Sequence, residues 1–392
     1  MIISIATTIY ISNNVPPSTY AVLGVFNWVL GLLSAFCLLS MPAVIRLYWG
    51  SQEYNGVVKT NFFYSISLVI FIASLMLIFP TNFSIISNLE PSWFSAVIIG
   101  IVYVILMSYC QTVFQCEDRF SALGLLMMVR PFFLILFAFL LLKKGGSSNN
   151  LLSVINFTQV ISLAFMLIIF IKTAGFKNPF SISQNREVLN FVGPLVPHTI
   201  LGYLSLGIDR YLATLFLTLE EVGVYFLIFA YCSILSVIGD VGTKLYQNWL
   251  YPVLSNKSYS QSQIRNKVRW LLFLVILFFI ISYFVLGFVL RLLLPEGYTS
   301  GLSLYPFFLL GISFSFIYII YIQFVVFFKK TVILPLITGL SVAVSSICGI
   351  TFYLYLDLGI YSFVIGYMSG QGVSAILAFA TAQYYLKRNA WH

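Results

Sequence analysis

The chain has 392 residues, 60% of them hydrophobic and 8% charged, with a mean hydropathy of +1.00 and a formal net charge of +9. No water-soluble domain of this size carries that composition without aggregating, so the chain is an integral membrane protein. Its apolar stretches run to about 20 residues, the length of a membrane-crossing helix, which excludes barrel strands alternating over about 10.

In chain order the apolar stretches predict all-α spans at 1–12, 21–44, 61–80, 92–114, 121–142, 151–171, 191–218, 222–247, 269–293, 302–328, 331–354 and 360–385, about twelve in all. The first, MIISIATTIYIS, is shorter than the roughly 17 to 25 residues that a span needs. It lacks the basic start and small-residue cleavage site of a signal peptide, so the native start is expected upstream of Met1 and the first helix truncated. The seventh, Phe191 to Thr218, would be about 42 Å long as a straight helix. That exceeds the hydrocarbon thickness, and with Pro194, Pro197, Gly202 and Gly207 inside it the helix is expected to tilt or break.

Orientation follows from the basic residues, since positively charged loops stay in the cytoplasm. With the N-terminus inside, the outer side holds only Lys143, Lys144 and Arg291 of the 20 Lys and Arg, and Arg130 and Arg210 are left at membrane depth. Both termini are therefore expected in the cytoplasm. The positive charge is topological first and an attraction to anionic inner-leaflet lipid second; it is no evidence for nucleic acid. Cys37, Cys110, Cys116, Cys232 and Cys348 form no CxxC pair and indicate neither a disulfide framework nor a metal site. Trp49, Trp93, Trp249, Trp270 and Trp391 fall at span ends, where indoles favour the headgroup level.

The polar inner segment KTAGFKNPFSISQNREVLN divides the spans six and six. The expected organisation is an N-terminal six-helix lobe at 1–172, a cytoplasmic linker at 173–190 and a C-terminal six-helix lobe at 191–392. Two halves of equal orientation are the parallel plan of many secondary transporters. This inference rests on span parity, because no residue-level repeat joins the halves.

Ionisable side chains at bilayer depth cost roughly 2.5 to 3.5 kcal/mol each and are expected to face protein or water. Arg130 lies mid-span in LMMVRPFFLILF, Asp209 and Arg210 lie in the seventh span, His198 follows Pro197, and Asp240 and Lys244 lie in the inner half of the eighth. Adjacent helical residues point about 100° apart, so Asp209 and Arg210 each need a partner elsewhere, either a structural ion pair or a hydrated path. His198 is eleven residues before Asp209 and returns to the same face of a straight helix, a possible proton-sensitive stripe or plain hydrogen-bonded packing. Asp240 and Lys244 are spaced to neutralise each other at i,i+4, and a coupling role is the lesser alternative. Arg130 has no carboxylate in its own span: it is either paired across helices or an open cation for an anionic ligand. The chain has no P-loop, no GxGxxG, no Asp-rich magnesium site and no catalytic His beside a carboxylate, so no cofactor is indicated and ATP is not its direct energy source.

Three stretches resemble a known family. FVGPLVPHTILGYLSLGIDRYLATLFLTLEEVGVYFLIFAY, residues 191–231, is similar to the seventh-span signature of the Wzx-type O-antigen and exopolysaccharide flippases of the multidrug/oligosaccharidyl-lipid/polysaccharide (MOP) exporter superfamily. Residues 9–49 and 327–377 are similar to its first loop with second span and to its last two spans. The resemblance implies two six-helix lobes around a cationic cavity. It also implies an undecaprenyl-diphosphate-linked oligosaccharide as cargo, moved from the inner to the outer leaflet of the bacterial cytoplasmic membrane by alternating access for surface polysaccharide synthesis. The polysaccharide polymerase machinery is the partner it implies. A diphosphate leaving water needs compensating charge, and the arginine fork suits phosphate oxygens, so Arg210 and Arg130 are the expected binding residues, with Asp209 orienting Arg210. Two alternatives stand beside it: a cation-coupled multidrug exporter of the same superfamily using Asp209 and His198, and, less favoured by the missing catalytic set, a polysaccharide polymerase or acyltransferase.

Overall fold

A computed structural model describes residues 2–39, 41–48, 54–87, 89–173, 195–255, 261–328 and 332–388. Among the described residues the secondary structure is helical throughout, with no strand. Ten helices are long and apolar enough to cross a membrane. They coincide with the expected second to sixth and eighth to twelfth spans. The other two expected spans are also helical, but one is short and the other broken.

The chain divides into two compact units, residues 2–203 and 204–392. The boundary falls between Tyr203 and Leu204. The expected linker at 173–190 lies outside the described residues except for Thr173.

The first unit comprises α1 (Ile2–Asn14), α2 (Pro17–Cys37), α3 (Met41–Tyr48), α4 (Tyr54–Ile78), α5 (Pro80–Ser87), a 3-10 turn (Pro91–Trp93), α6 (Phe94–Cys116), α7 (Phe120–Leu141), α8 (Ser148–Thr173) and most of α9 (Leu195–Ser205). Pro17 opens α2 at a position where its missing N–H has no helical partner to lose. Helix α6 is the axis of this unit, packing on α2, α3, α4, α7 and α8. Its Gly100 admits α8 and α2 closely: a Cβ there would lie 2.7 Å from Gln159 Nε2 and 2.8 Å from a Leu30 methyl. The short α1 packs on α7 and α2. Trp93, at the start of a span, is 1% exposed and meets Phe26 at 5.4 Å between centroids. Lys59, counted with the inner loops in the sequence, is also buried.

The second unit comprises the end of α9, α10 (Ile208–Phe216), α11 (Leu219–Ser255), α12 (Gln261–Leu293), a 3-10 turn (Glu296–Ser303), α13 (Tyr305–Phe327), α14 (Ile333–Leu356) and α15 (Tyr361–Arg388). Thr218 and Glu221 start α11: the Thr218 amide and hydroxyl both donate to Glu221 Oε2, at 3.0 and 2.8 Å, a capping box written in the sequence as TLEE. Asp357 ends α14 in the left-handed region, with φ of 51°. Helix α15 packs along both α14 and α13. Between helices in lipid the hydrophobic effect gives little, so close approach over small residues supplies the dispersion energy. Gly366 and Gly370 of α15 provide it, because Cβ atoms there would lie 2.6 Å from the Ser345 carbonyl oxygen and 2.7 Å from that of Ser341. On α12, by contrast, Phe273, Leu274, Phe284 and Phe288 are exposed, as lipid-facing side chains are.

Gly366→Ala drives its methyl into the backbone of α14, and the expected cost is about 1 to 3 kcal/mol. Gly242→Ala, with nothing within 4 Å of its Cβ, is expected to be neutral or slightly stabilising. Thermal unfolding of the two purified variants in detergent checks the contrast; equal melting temperatures would contradict the close packing.

Candidate functional site

The seventh span breaks where the sequence places its glycine. Helix α9 ends at Ser205, Leu206 and Gly207 form a turn, and α10 restarts at Ile208 with Gly207 as its N-cap. Asp209 therefore occupies the first turn of α10, and Arg210 follows the last carbonyls of α9. A helix carries partial positive charge at its N-terminus and partial negative charge at its C-terminus. Each of the adjacent charges meets a helix end of opposite sign: the carboxylate sits at the start of α10, and Arg210 Nη2 donates to the carbonyl oxygen of Leu206.

Asp209 is 1% exposed. Its Oδ2 accepts a 2.6 Å hydrogen bond from the hydroxyl of Tyr225 on α11, whereas Oδ1 is buried without a hydrogen-bond partner. The guanidinium of Arg210 lies 3.7 Å from the ring centroid of Phe229, also on α11, and its Nε is likewise buried and unpartnered. Asp209 thus does not orient Arg210 by an ion-pair contact. Side chains 100° apart on one short helix find different partners, and the aiming of Arg210 falls to Leu206 and Phe229.

An aromatic frame fixes those partners. Tyr225 and Phe229 both meet Phe308 of α13 edge to face, at 4.9 and 5.4 Å, and Phe229 meets Tyr367 of α15 at 6.0 Å. The Tyr367 ring lies over Gly311, where a Cβ would be 2.4 Å from its Cε1. One turn back, a buried polar set holds the end of α9. Gln371 Nε2 donates to the Ser205 carbonyl at 3.0 Å, Ser315 donates to Gln371 Oε1 at 2.8 Å, and Ser341, 3.2 Å from the Ser205 hydroxyl, donates to the Gly370 carbonyl at 2.8 Å. Gln371 was legible as the one amide in the small-residue run MSGQGVSA, but its partner on another helix was not.

Arg130 belongs to the first unit. It lies on α7 beside Pro131, half-buried, with its guanidinium 5.6 Å from the centroid of Tyr103 on α6 and within electrostatic range of Tyr203. Tyr203 packs against Gly31 of α2, where a Cβ would be 2.4 Å from its ring. Among the described residues of this unit no carboxylate forms an ion pair with Arg130. His198 is in α9, and Asp240 and Lys244 are in α11, but their side chains lie outside the described residues.

No family model and no curated protein sequence matches the chain. Solved structures do. The lipid II flippase MurJ in an inward closed conformation superposes with a TM-score of 0.71 at 14% identity, covering 98% of this chain and 85% of that one. A multidrug resistance MATE family transporter of the MOP superfamily, inward-facing, gives 0.69 at 14% identity over 99% and 96%. A MOP superfamily transporter from Pyrococcus furiosus, described as having a binding pocket of reversed polarity, gives 0.66 at 13% over 100% and 93%. The fold is that of the MOP transporters. The expected all-α architecture of about twelve spans agrees with it. At these identities the likeness extends to the fold and to no cargo.

The Tyr225–Asp209 hydrogen bond yields a stability prediction. Tyr225→Phe removes the side-chain donor of a buried carboxylate, at an expected cost of about 1 to 3 kcal/mol. Tyr225→Phe/Asp209→Asn removes the charge as well and is expected to recover part of it. Melting temperatures of the wild type and variants, including Asp209→Asn alone, close the double-mutant cycle; strictly additive effects would count against the bond.

Proposed function

We propose that this chain is a flippase for a polyprenyl-diphosphate-linked oligosaccharide, undecaprenyl-linked in the bacterial case, carrying it from the inner to the outer leaflet of the cytoplasmic membrane by alternating access. The observation that carries the reading is the state of Arg210. A guanidinium at membrane depth, with a buried Nε that has no hydrogen-bond partner and no carboxylate in ion-pair contact among the described residues, is a donor set suited to an anion. Within the first unit Arg130, beside the Tyr103 ring, is a further cation expected to meet an anionic cargo. A lipid diphosphate matches that deficit, because its phosphate oxygens accept from guanidinium donors and its charge must be compensated on leaving water. Likeness to a lipid II flippase supports a lipid-linked cargo as a class.

In this reading the six-helix lobes at 1–172 and 191–392 exchange the side of the membrane to which the arginines open. Both termini lie in the cytoplasm, and the exported units feed a surface polysaccharide polymerase. Asp209 acts on Arg210 through space while bound to Tyr225.

One observation favours a second reading. Asp209 Oδ1 is buried and unpaired, an acceptor that a coupling cation or a cationic drug could complete, as in a multidrug exporter of the same fold.

Cells lacking the protein are expected to accumulate unpolymerised lipid-linked oligosaccharide on the cytoplasmic leaflet. Wild type should relieve the accumulation, while Arg210→Ala and Arg130→Ala should fail to, with cargo affinity lowered roughly 10- to 100-fold for each lost charge-assisted contact. Absence of accumulation in the deletion would instead favour the exporter reading, and wild-type transport by both arginine variants would remove the anion-binding role.

A further inference from the structure

Helix α12 begins away from the site just described. Its first turns read QSQIRNKVRW, and the sequence turns continuously apolar at Leu271. Arg265 and Arg269 are four residues apart, so their stems share one face of the helix. Both line a cavity of about 470 Å³ whose floor is apolar, formed by Ile264, Val268, Phe324 and Leu386. Tyr321 and Phe379, edge to face at 5.0 Å, make part of its wall, and Gln383 adds an amide.

Three features decide what such a cavity takes. First, no described residue lining it is acidic, and among the described residues neither arginine forms an ion pair. Among the described residues the two cations therefore have no compensating carboxylate. Second, the floor belongs to a buried apolar cluster contributed by α11, α12, α13, α14 and α15. A bare anion gains nothing from that surface, whereas a hydrocarbon chain does. Third, the mouth is flanked by side chains that favour headgroup depth. Trp270 is 67% exposed beside Arg269, and the ammonium of Lys267 lies 5.4 Å from the ring centroid of Trp249. Indoles and snorkelling basic side chains gather at that level. The distribution of Lys and Arg along the chain assigns this end to the cytoplasmic side, the leaflet whose anionic lipids attract basic segments.

We propose that this cavity is a binding site for an anionic glycerophospholipid, with the headgroup phosphate between Arg265 and Arg269 and one acyl chain on the Ile264, Val268 and Leu386 floor. The lipid fills the space between the first turns of α12 and the last turns of α15. It is a structural ligand distinct from the transported cargo, and the inference stands whatever that cargo is.

Native mass spectrometry of the detergent-purified full chain, titrated with dioleoyl phosphatidylglycerol or dioleoyl phosphatidylcholine, tests it. The expected result is one phosphatidylglycerol retained in preference to phosphatidylcholine by about tenfold in affinity, and a similar loss in Arg265→Gln/Arg269→Gln but not in Lys143→Gln/Lys144→Gln. Millimolar inorganic phosphate should not displace the lipid. As a second readout, phosphatidylglycerol should raise the melting temperature of wild type and of the Lys143/Lys144 variant, and not that of the arginine variant. Equal retention of the two lipids, undiminished binding in the arginine variant, displacement by phosphate alone, or displacement by equimolar undecaprenyl diphosphate would each overturn the proposal.

Discussion

A polypeptide crossing hydrocarbon must satisfy its own backbone, and the interruption of the seventh span at Leu206 and Gly207 is where this chain departs from the simplest way of doing so. The break leaves carbonyls at the end of α9 and amides at the start of α10 outside a continuous ladder. What satisfies them is local and charged. The Arg210 guanidinium takes the Leu206 carbonyl, and Asp209 brings negative charge to the first turn of α10. A buried carboxylate and a half-buried guanidinium that are neighbours in sequence, with no ion-pair contact between them, each find a helix end of opposite sign at this interruption.

The rest of the second unit supports that interruption from outside. Two tyrosines and two phenylalanines from α11, α13 and α15 frame the pair, and Tyr367 is seated closely over Gly311. The Gln371 set performs the corresponding task for the end of α9, converting the Ser205 backbone from a cost into a tether to α15. Small residues and aromatic rings thus divide the work. Glycines set how closely the helices approach, and the rings convert that closeness into a fixed orientation for two ionised groups.

Much of this was legible in the sequence because hydropathy and span length are strong signals. The ten long spans, the shortness of the first and the rupture of the seventh all followed from counting apolar residues and noting Pro and Gly. The singular position of Arg130, Asp209 and Arg210 was equally visible. What those residues touch was not, since Tyr225, Phe229, Tyr103 and Gln371 are partners from other helices and one chain carries no record of cross-helix proximity. Asp209 and Arg210 make no ion-pair contact for that reason: adjacency in sequence is not adjacency of side chains on a helix. The cover of Trp93 was hidden for the same reason, since a span-end indole gives no sign in sequence of the Phe26 ring that meets it.

The bond from Arg210 to the Leu206 carbonyl carries a consequence for energy transduction. In the proposed reading the guanidinium that would take an anion also closes the end of α9, so ligand occupancy and helix geometry would draw on one donor set. An anion that recruits that donor weakens the closure, and by reciprocity any rearrangement that releases the Leu206 carbonyl from Arg210 raises affinity for the anion. Binding and bending are then two faces of a single equilibrium, located in one turn of backbone and requiring no separate sensor elsewhere in the protein.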